Sequence, residues 1–327
     1  MRKIILDVDT GTDDAIAIMA AVQSTNIDLV AICSVHGNTS VINTTENSLR
    51  AVFAAGGDVP VYPGAREPLV KNLYPKRAVK VKEPVLSGTS EIDGASVAMN
   101  PDLLPLPKTL QKAENEKAAL FYLHYLREAK DKVTLVATGT LTNLALALTM
   151  DPGIVRNIEE IVIMGGGIQK TNITAAAEAN FFKDPEASEI VLRCGAPITI
   201  CTLDATHSCS LDAKQEEKIR SVGTTAAIFT ANDIHVRRES YNKFQPLERR
   251  DTAPIHDALC IAYLIDPSVV ITAVDASCAV DCSEGISDGR LQMDRRYYHE
   301  KNNVKLILKA DSDIFCGILV DVFSGRA

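Results

Sequence analysis

Residues 3–23 read KIILDVDTGTDDAIAIMAAVQ. Ile4, Ile5 and Leu6 run without a polar break and Val8 follows, the pattern of a strand buried on both faces. Asp7 and Asp9 leave this strand, read over 3–9, on one face, because side chains alternate with period two. Gly11 permits a tight turn. Asp13 and Asp14 then open a helix over 14–23, where carboxylates suit the positive end of the helix dipole. A buried strand that feeds directly into a helix is the opening unit of an α/β sheet.

The same alternation recurs along the chain. Strands are predicted over 27–35, 131–139, 158–167, 198–204, 268–276 and 303–310, and helices over 40–55, 141–149 and 185–192. The polar stretch 232–244 is read as a further helix flanking a pocket mouth. Strands separated by helices imply an open, mostly parallel sheet flanked by helices on both faces. Ligands in such sheets sit beyond the carboxyl ends of the strands. The proline-rich piece from Pro60 to Pro107 is expected to lie over one end of the sheet as loops, and Asp288-Gly289 to form a hairpin turn. No composition break divides the chain, so residues 1–327 are read as one domain.

Composition narrows the function classes. The chain of 327 residues carries 34 Lys and Arg against 42 Asp and Glu, a net charge of −8, which gives no basic excess for neutralising nucleic-acid phosphates. No apolar run approaches the roughly 18 residues of a membrane span, and Asp7 interrupts the N-terminal apolar run too early for a signal peptide. Eight cysteines are scattered without a CxxC pair, which reads as buried thiols in a reducing cytoplasm. There is no P-loop and no GxGxxG, so a nucleotide phosphate is not the expected ligand. The pairs Arg237-Arg238 and Arg249-Arg250 read as solvated faces.

Asp7, Asp9, Asp13 and Asp14 fall within eight residues. Carboxylates this close repel one another unless some protonate or a cation joins them. A hard divalent ion prefers oxygen ligands, and neither Cys nor His accompanies the cluster to suggest zinc. A phosphatase of the haloacid dehalogenase type also begins with an apolar strand and DxDx[TV], and would use Asp7 as nucleophile. Gly11 stands where that pattern has Thr or Val, and Asp13-Asp14 is foreign to it. A non-catalytic ribose or nucleoside sensor would keep the same cluster without turnover.

DVDTGTDDA (7–15) resembles the DxDPGxDDA signature of the inosine-uridine-preferring nucleoside hydrolases, with Thr10 in place of proline. The resemblance continues in order: HGN (36–38), PVYPGAREPL (60–69), ATGTLTNLALAL (137–148), MGGG (164–167), Asn172 with Glu178 and Asn180, DPEA (184–187), IHDA (255–258) and GISDGRLQMD (285–294). Ser87 stands where the family often has a histidine.

That resemblance implies a ribonucleoside N-glycosidase with one Ca²⁺ per subunit, assembled as a homodimer or homotetramer and acting in nucleoside salvage. Carried over by motif, the metal ligands are Asp9, Asp14, Asp257 and the backbone carbonyl of Thr138. Asp13, Asn38, Met164, Asn172, Glu178 and Asn180 bind the ribose, with Gly165–Gly167 letting backbone approach the sugar. Asp9 takes the proton of the attacking water, and His256, placed at the pocket rim, donates one to the departing base. An unperturbed imidazole, with pKa near 6.5, suits that donation. Tyr241 is a candidate contact for the base, and His36 and His207 are read as structural. With no tryptophan in the chain, stacking of a purine on indole rings is closed.

Overall fold

The computed structural model describes residues 1–77, 89–92, 95–296 and 300–327. Nine strands form one sheet, in the order Leu291–Asp294, Val270–Val280, Val304–Ala310, Ile198–Cys201, Ile158–Met164, Val133–Ala137, Arg2–Val8, Ile27–Ser34, Val61–Pro63. Pairing is parallel from Val304–Ala310 through to Val61–Pro63. Val270–Val280 runs antiparallel to both of its neighbours. The mostly parallel α/β architecture expected from the alternating runs is therefore present.

The first strand shows why its sequence lacks polar interruptions. Ile4, Leu6 and Val8 pack into the core on one face of the sheet, and Ile5 packs into the core on the other. All four are fully buried, as a central strand covered by helices on both sides requires. The helix Thr12–Gln23 follows at once and packs against Val41–Ala54 and Ala258–Ile265. Its start is fixed by Asp14, whose carboxylate accepts the Gly11 N–H at 2.9 Å.

The chain leaves the central strand toward Ile27–Ser34 and Val61–Pro63, then returns to the other side with Val133–Ala137. This reversal is the switch point at which open α/β sheets form a crevice. It places residue 9 and residue 138, just past two adjacent carboxyl ends, on the floor of that crevice.

Some boundaries differ from the sequence reading. The 60–107 stretch is not loop throughout. Val61–Pro63 joins the sheet, and Thr89–Ile92 pairs with Ala95–Ala98. Proline lacks the N–H of a central strand, and Pro63 is tolerated because its strand is the sheet edge. The Asp288-Gly289 turn lies in a longer hairpin loop, 281–290, with Gly289 at φ +80°. The helix read over 232–244 is the C-terminal part of Thr225–Phe244. All eight cysteines are free, six of them buried. Among the described residues, no helix is long and apolar enough to cross a membrane. Ser87 lies outside the described residues.

Candidate active site

A cavity of about 240 Å³ opens at the switch point. Its lining contains nearly every residue singled out from sequence: Asp9, Asp13, Asn38, Thr138, Met164, Asn172, Glu178, Asn180, Tyr241, His256 and Asp257. Asp14 lies beneath this surface, fully buried. The cavity also gathers Lys183 and Arg237, two cations that the motifs did not assign. A larger groove of about 1010 Å³ borders the antiparallel end of the sheet. It shares no lining residue with the aspartate cavity and does not sit at the carboxyl ends of the parallel strands.

Asp9 is held by its surroundings. Its Oδ2 accepts the Asn38 N–H at 2.7 Å and lies 3.9 Å from the Lys183 ammonium. Gly37 and Gly139 press on it from two sides. A Cβ at Gly37 would sit 1.9 Å from Asp9 Oδ2, and one at Gly139 would sit 2.9 Å from Asp9 Cβ. Asp14 accepts hydrogen bonds from the Thr138 hydroxyl at 2.8 Å and the Asn38 amide at 3.3 Å. The Thr138 carbonyl accepts the Asn180 amide at 2.7 Å and keeps a second lone pair.

The electrostatics are those of crowded, desolvated acids. Burial, then the charge of Asp14, raises the Asp9 pKa well above the usual carboxylate range. Burial and neighbouring Asp13 lift Asp14 to about 6. Asp257 is raised by burial and by Asp13, Asp14 and Asp9. Asp13 is the exception: burial pushes it up, but the Arg237 guanidinium at 2.8 Å brings it below its ordinary value.

Arg237 corrects the sequence reading. It is 3% exposed, not solvated, and divides its guanidinium between Asp13 and Asp233. Arg238 is likewise tied to Glu216 and Asp251. Periodicity could not show this, because the twenty-residue helix is packed on several sides.

Asp13, Asp14 and Asp257 bring ligand oxygens within 4.8 Å of one another, and this group can hold a metal ion. The donors are all hard oxygens, and their mutual repulsion is what a dication would relieve. Asp9 stands beside this trio, drawn toward Asn38 and Lys183.

The opposite wall comes from one short segment. Glu178 caps the helix Ala179–Lys183, accepting N–H groups from Asn180 and Phe181, and also accepts the Gly166 N–H at 2.8 Å. Asn172 accepts the Ala179 N–H at 2.9 Å. Met164 reaches the cavity, but Gly165–Gly167 do not line it. Gly165 and Gly166 instead make room for the Phe181 ring, which a Cβ at either would meet at 3.2 Å or less.

His256 lies in the wall rather than at the rim. It is 7% exposed, with Nδ1 2.8 Å from the Thr206 hydroxyl and Nε2 3.0 Å from the Tyr241 hydroxyl. Burial lowers its pKa to about 3, against the pull of Asp13, so the resting imidazole is neutral at pH 7. His36 is hydrogen-bonded to Thr142 and Thr140, in keeping with a structural role. His207 meets the Tyr241 ring edge-on and lies tilted beside His256, with no hydrogen bond to its Nε2.

Asp7 does not share the cavity with Asp9. The strand ends at Val8, and the two carboxylates part there. Asp7 accepts the Tyr122 hydroxyl at 3.0 Å and the Asn143 amide at 3.1 Å, and is 2% exposed. A phosphatase nucleophile at Asp7 is incompatible with this placement, since Asp7 lines no part of the cavity and its carboxylate oxygens are committed to Tyr122 and Asn143.

Comparison with known proteins agrees with this geometry. The family profile "Inosine-uridine preferring nucleoside hydrolase" matches residues 4–317. An inosine-uridine preferring nucleoside hydrolase of Leishmania major is 33% identical, over 98% of this chain and 96% of the relative. The pyrimidine-specific ribonucleoside hydrolase RihA of Enterobacter sp. (strain 638) is 35% identical, over 97% of this chain and 96% of its own length. The solved purine-preferring ribonucleoside hydrolase from Gardnerella vaginalis superposes with a TM-score of 0.82 at 29% identity, covering 99% of both chains. The chain belongs to the inosine-uridine preferring nucleoside hydrolase family, and is an enzyme that hydrolyses the N-glycosyl bond of ribonucleosides.

Proposed function

We propose that this chain, acting as one nucleoside hydrolase domain over residues 1–327, cleaves purine or pyrimidine ribonucleosides such as inosine or uridine to ribose and free base with one bound Ca²⁺. The observation that carries the reading is the meeting of Asp9, Asp13 and Asp14, from the first strand–helix junction, with Asp257 from the far end of the chain. Asp9, Asp14, Asp257 and the Thr138 carbonyl would hold the ion. Bound there, Ca²⁺ supplies charge that orients ribose hydroxyls and favours ionisation of water.

The chain's own residues do the rest. Asp13, fixed by Arg237, and Asn38 bind ribose hydroxyls from the aspartate side. Asn172, Glu178, Asn180 and Met164 bind from the opposite wall. Asp9 accepts the proton of the water that attacks the anomeric carbon. The clustered carboxylates favour the positive charge that develops on the ribosyl ring. His256 offers its N–H as a hydrogen-bond donor where negative charge builds on the departing base, and the base takes its proton from solvent as it leaves. Its neutral resting state means that it acts as an imidazole, with the Tyr241 hydroxyl beside it at the base end of the cavity.

The eight free cysteines favour a reducing compartment such as the cytoplasm, and a homodimer or homotetramer is the expected assembly. The test is incubation with inosine, uridine, cytidine and adenosine while ribose release is measured. Ribose from at least one of them is expected, and none from any refutes the reading.

A further inference from the structure

Lys183 is the charged cavity residue that the assigned roles leave without a task. It ends the short helix Ala179–Lys183, and the backbone on both sides of it is pinned. Glu178 caps that helix, the Phe182 carbonyl accepts the Lys71 ammonium, and Asp184 accepts the Leu69 N–H at 3.0 Å and the Thr142 hydroxyl at 2.6 Å. With its Cα fixed, the four-carbon stem brings Nζ to 3.9 Å from Asp9 Oδ2. The side chain keeps 23% exposure, so a path to solvent stays open. Its charge is also felt by Glu178 and His36, which places it centrally among the polar walls. Asp9, meanwhile, stands outside the trio of aspartates whose oxygens already converge.

From this geometry we infer that the Lys183 ammonium competes with the divalent cation for Asp9, so that loading the site requires Lys183 to release that carboxylate and the affinity for the cation is held down. The inference rests on the aspartate cluster being a hard-dication site. The physical argument is short. An ammonium is a compact point charge on a flexible stem, able to satisfy one carboxylate and then to swing away. In the metal-free protein it offsets part of the repulsion between Asp9 and its neighbours. Once a dication is present, the same ammonium becomes a like charge a few ångströms from it.

The test is calorimetric titration of chelator-stripped protein with CaCl₂, using wild type, Lys183→Met and Lys183→Arg, together with melting temperatures with and without Ca²⁺. Lys183→Met is expected to bind Ca²⁺ at least 10-fold more tightly than wild type, and Lys183→Arg to stay within about threefold of it. Metal-free Lys183→Met should melt below metal-free wild type, and saturating Ca²⁺ should erase or reverse that order. A wild type that binds Ca²⁺ while Lys183→Met binds it equally or more weakly overturns the role of Lys183 alone. A wild type that takes up no Ca²⁺ overturns the metal site beneath it.

Discussion

Gly37→Ala is the most informative single perturbation of this site. Gly37 has ordinary backbone geometry, so an alanine costs nothing in conformation there. Its effect is steric: the new Cβ would fall 1.9 Å from Asp9 Oδ2, 2.6 Å from Cγ and 2.7 Å from Cβ. Restoring an ordinary contact of about 3.4 Å moves the carboxylate oxygen by about 1.5 Å. That oxygen is the one that accepts the Asn38 N–H at 2.7 Å, so the same shift breaks the bond that orients it. A displacement of about 1 Å at a reacting group costs on the order of 100-fold in rate, or about 3 kcal/mol of barrier. Gly37→Ala is therefore expected to lower kcat/KM on inosine or uridine by at least 100-fold and to weaken Ca²⁺ binding measured by calorimetry. Gly317→Ala, in the helix Ser312–Phe323 with open space around it, is the control and should leave both unchanged. Wild-type turnover and Ca²⁺ affinity in Gly37→Ala would refute the claim that the position of Asp9 matters.

Two further outcomes follow from the same structure. His256→Ala should slow nucleosides with poor leaving groups by about 100-fold or more while sparing p-nitrophenyl riboside, and equal loss on both substrates removes His256 from the donor role. Asp7 is raised by burial from 3.8 to about 7, against the hydrogen bonds of Tyr122 and Asn143. A carboxyl raised by folding contributes stability that is complete below its unfolded pKa and is lost as pH climbs through its folded one. Wild type should therefore lose up to about 4 kcal/mol between pH 4 and pH 8 through this group, and Asp7→Asn should lack that part of the slope. Parallel stability–pH curves for the two proteins in denaturant melts would contradict the assignment.

The strand–helix opening, the parallel sheet and the residues around the cavity were legible because each rests on local pattern. Continuous apolar runs mark buried central strands, and the ordered motifs mark the acids and amides that line the cavity. Five features were not legible, and each is a property of packing. The separation of Asp7 from Asp9 depends on the strand stopping at Val8. The burial of Arg237 depends on which side of a long helix meets Thr12 and Asp13. The neutral state of His256 follows from desolvation, which no sequence spacing encodes. The run Gly165–Gly167 reads toward the ligand because the motif is glycine-rich, whereas the space at Gly165 and Gly166 is filled by Phe181 and Leu291. Lys183 gave no signal, since a lysine at the end of a five-residue helix usually points to water.

A crystal structure of the protein grown with Ca²⁺ would show whether the aspartates share one ion. One ion is expected at about 2.3–2.6 Å from carboxylate oxygens of Asp9, Asp14 and Asp257 and from the Thr138 carbonyl, with Lys183 turned away from Asp9. An ion-free cavity, or an ion bound elsewhere while Asp9 and Asp257 stay apart, would contradict it.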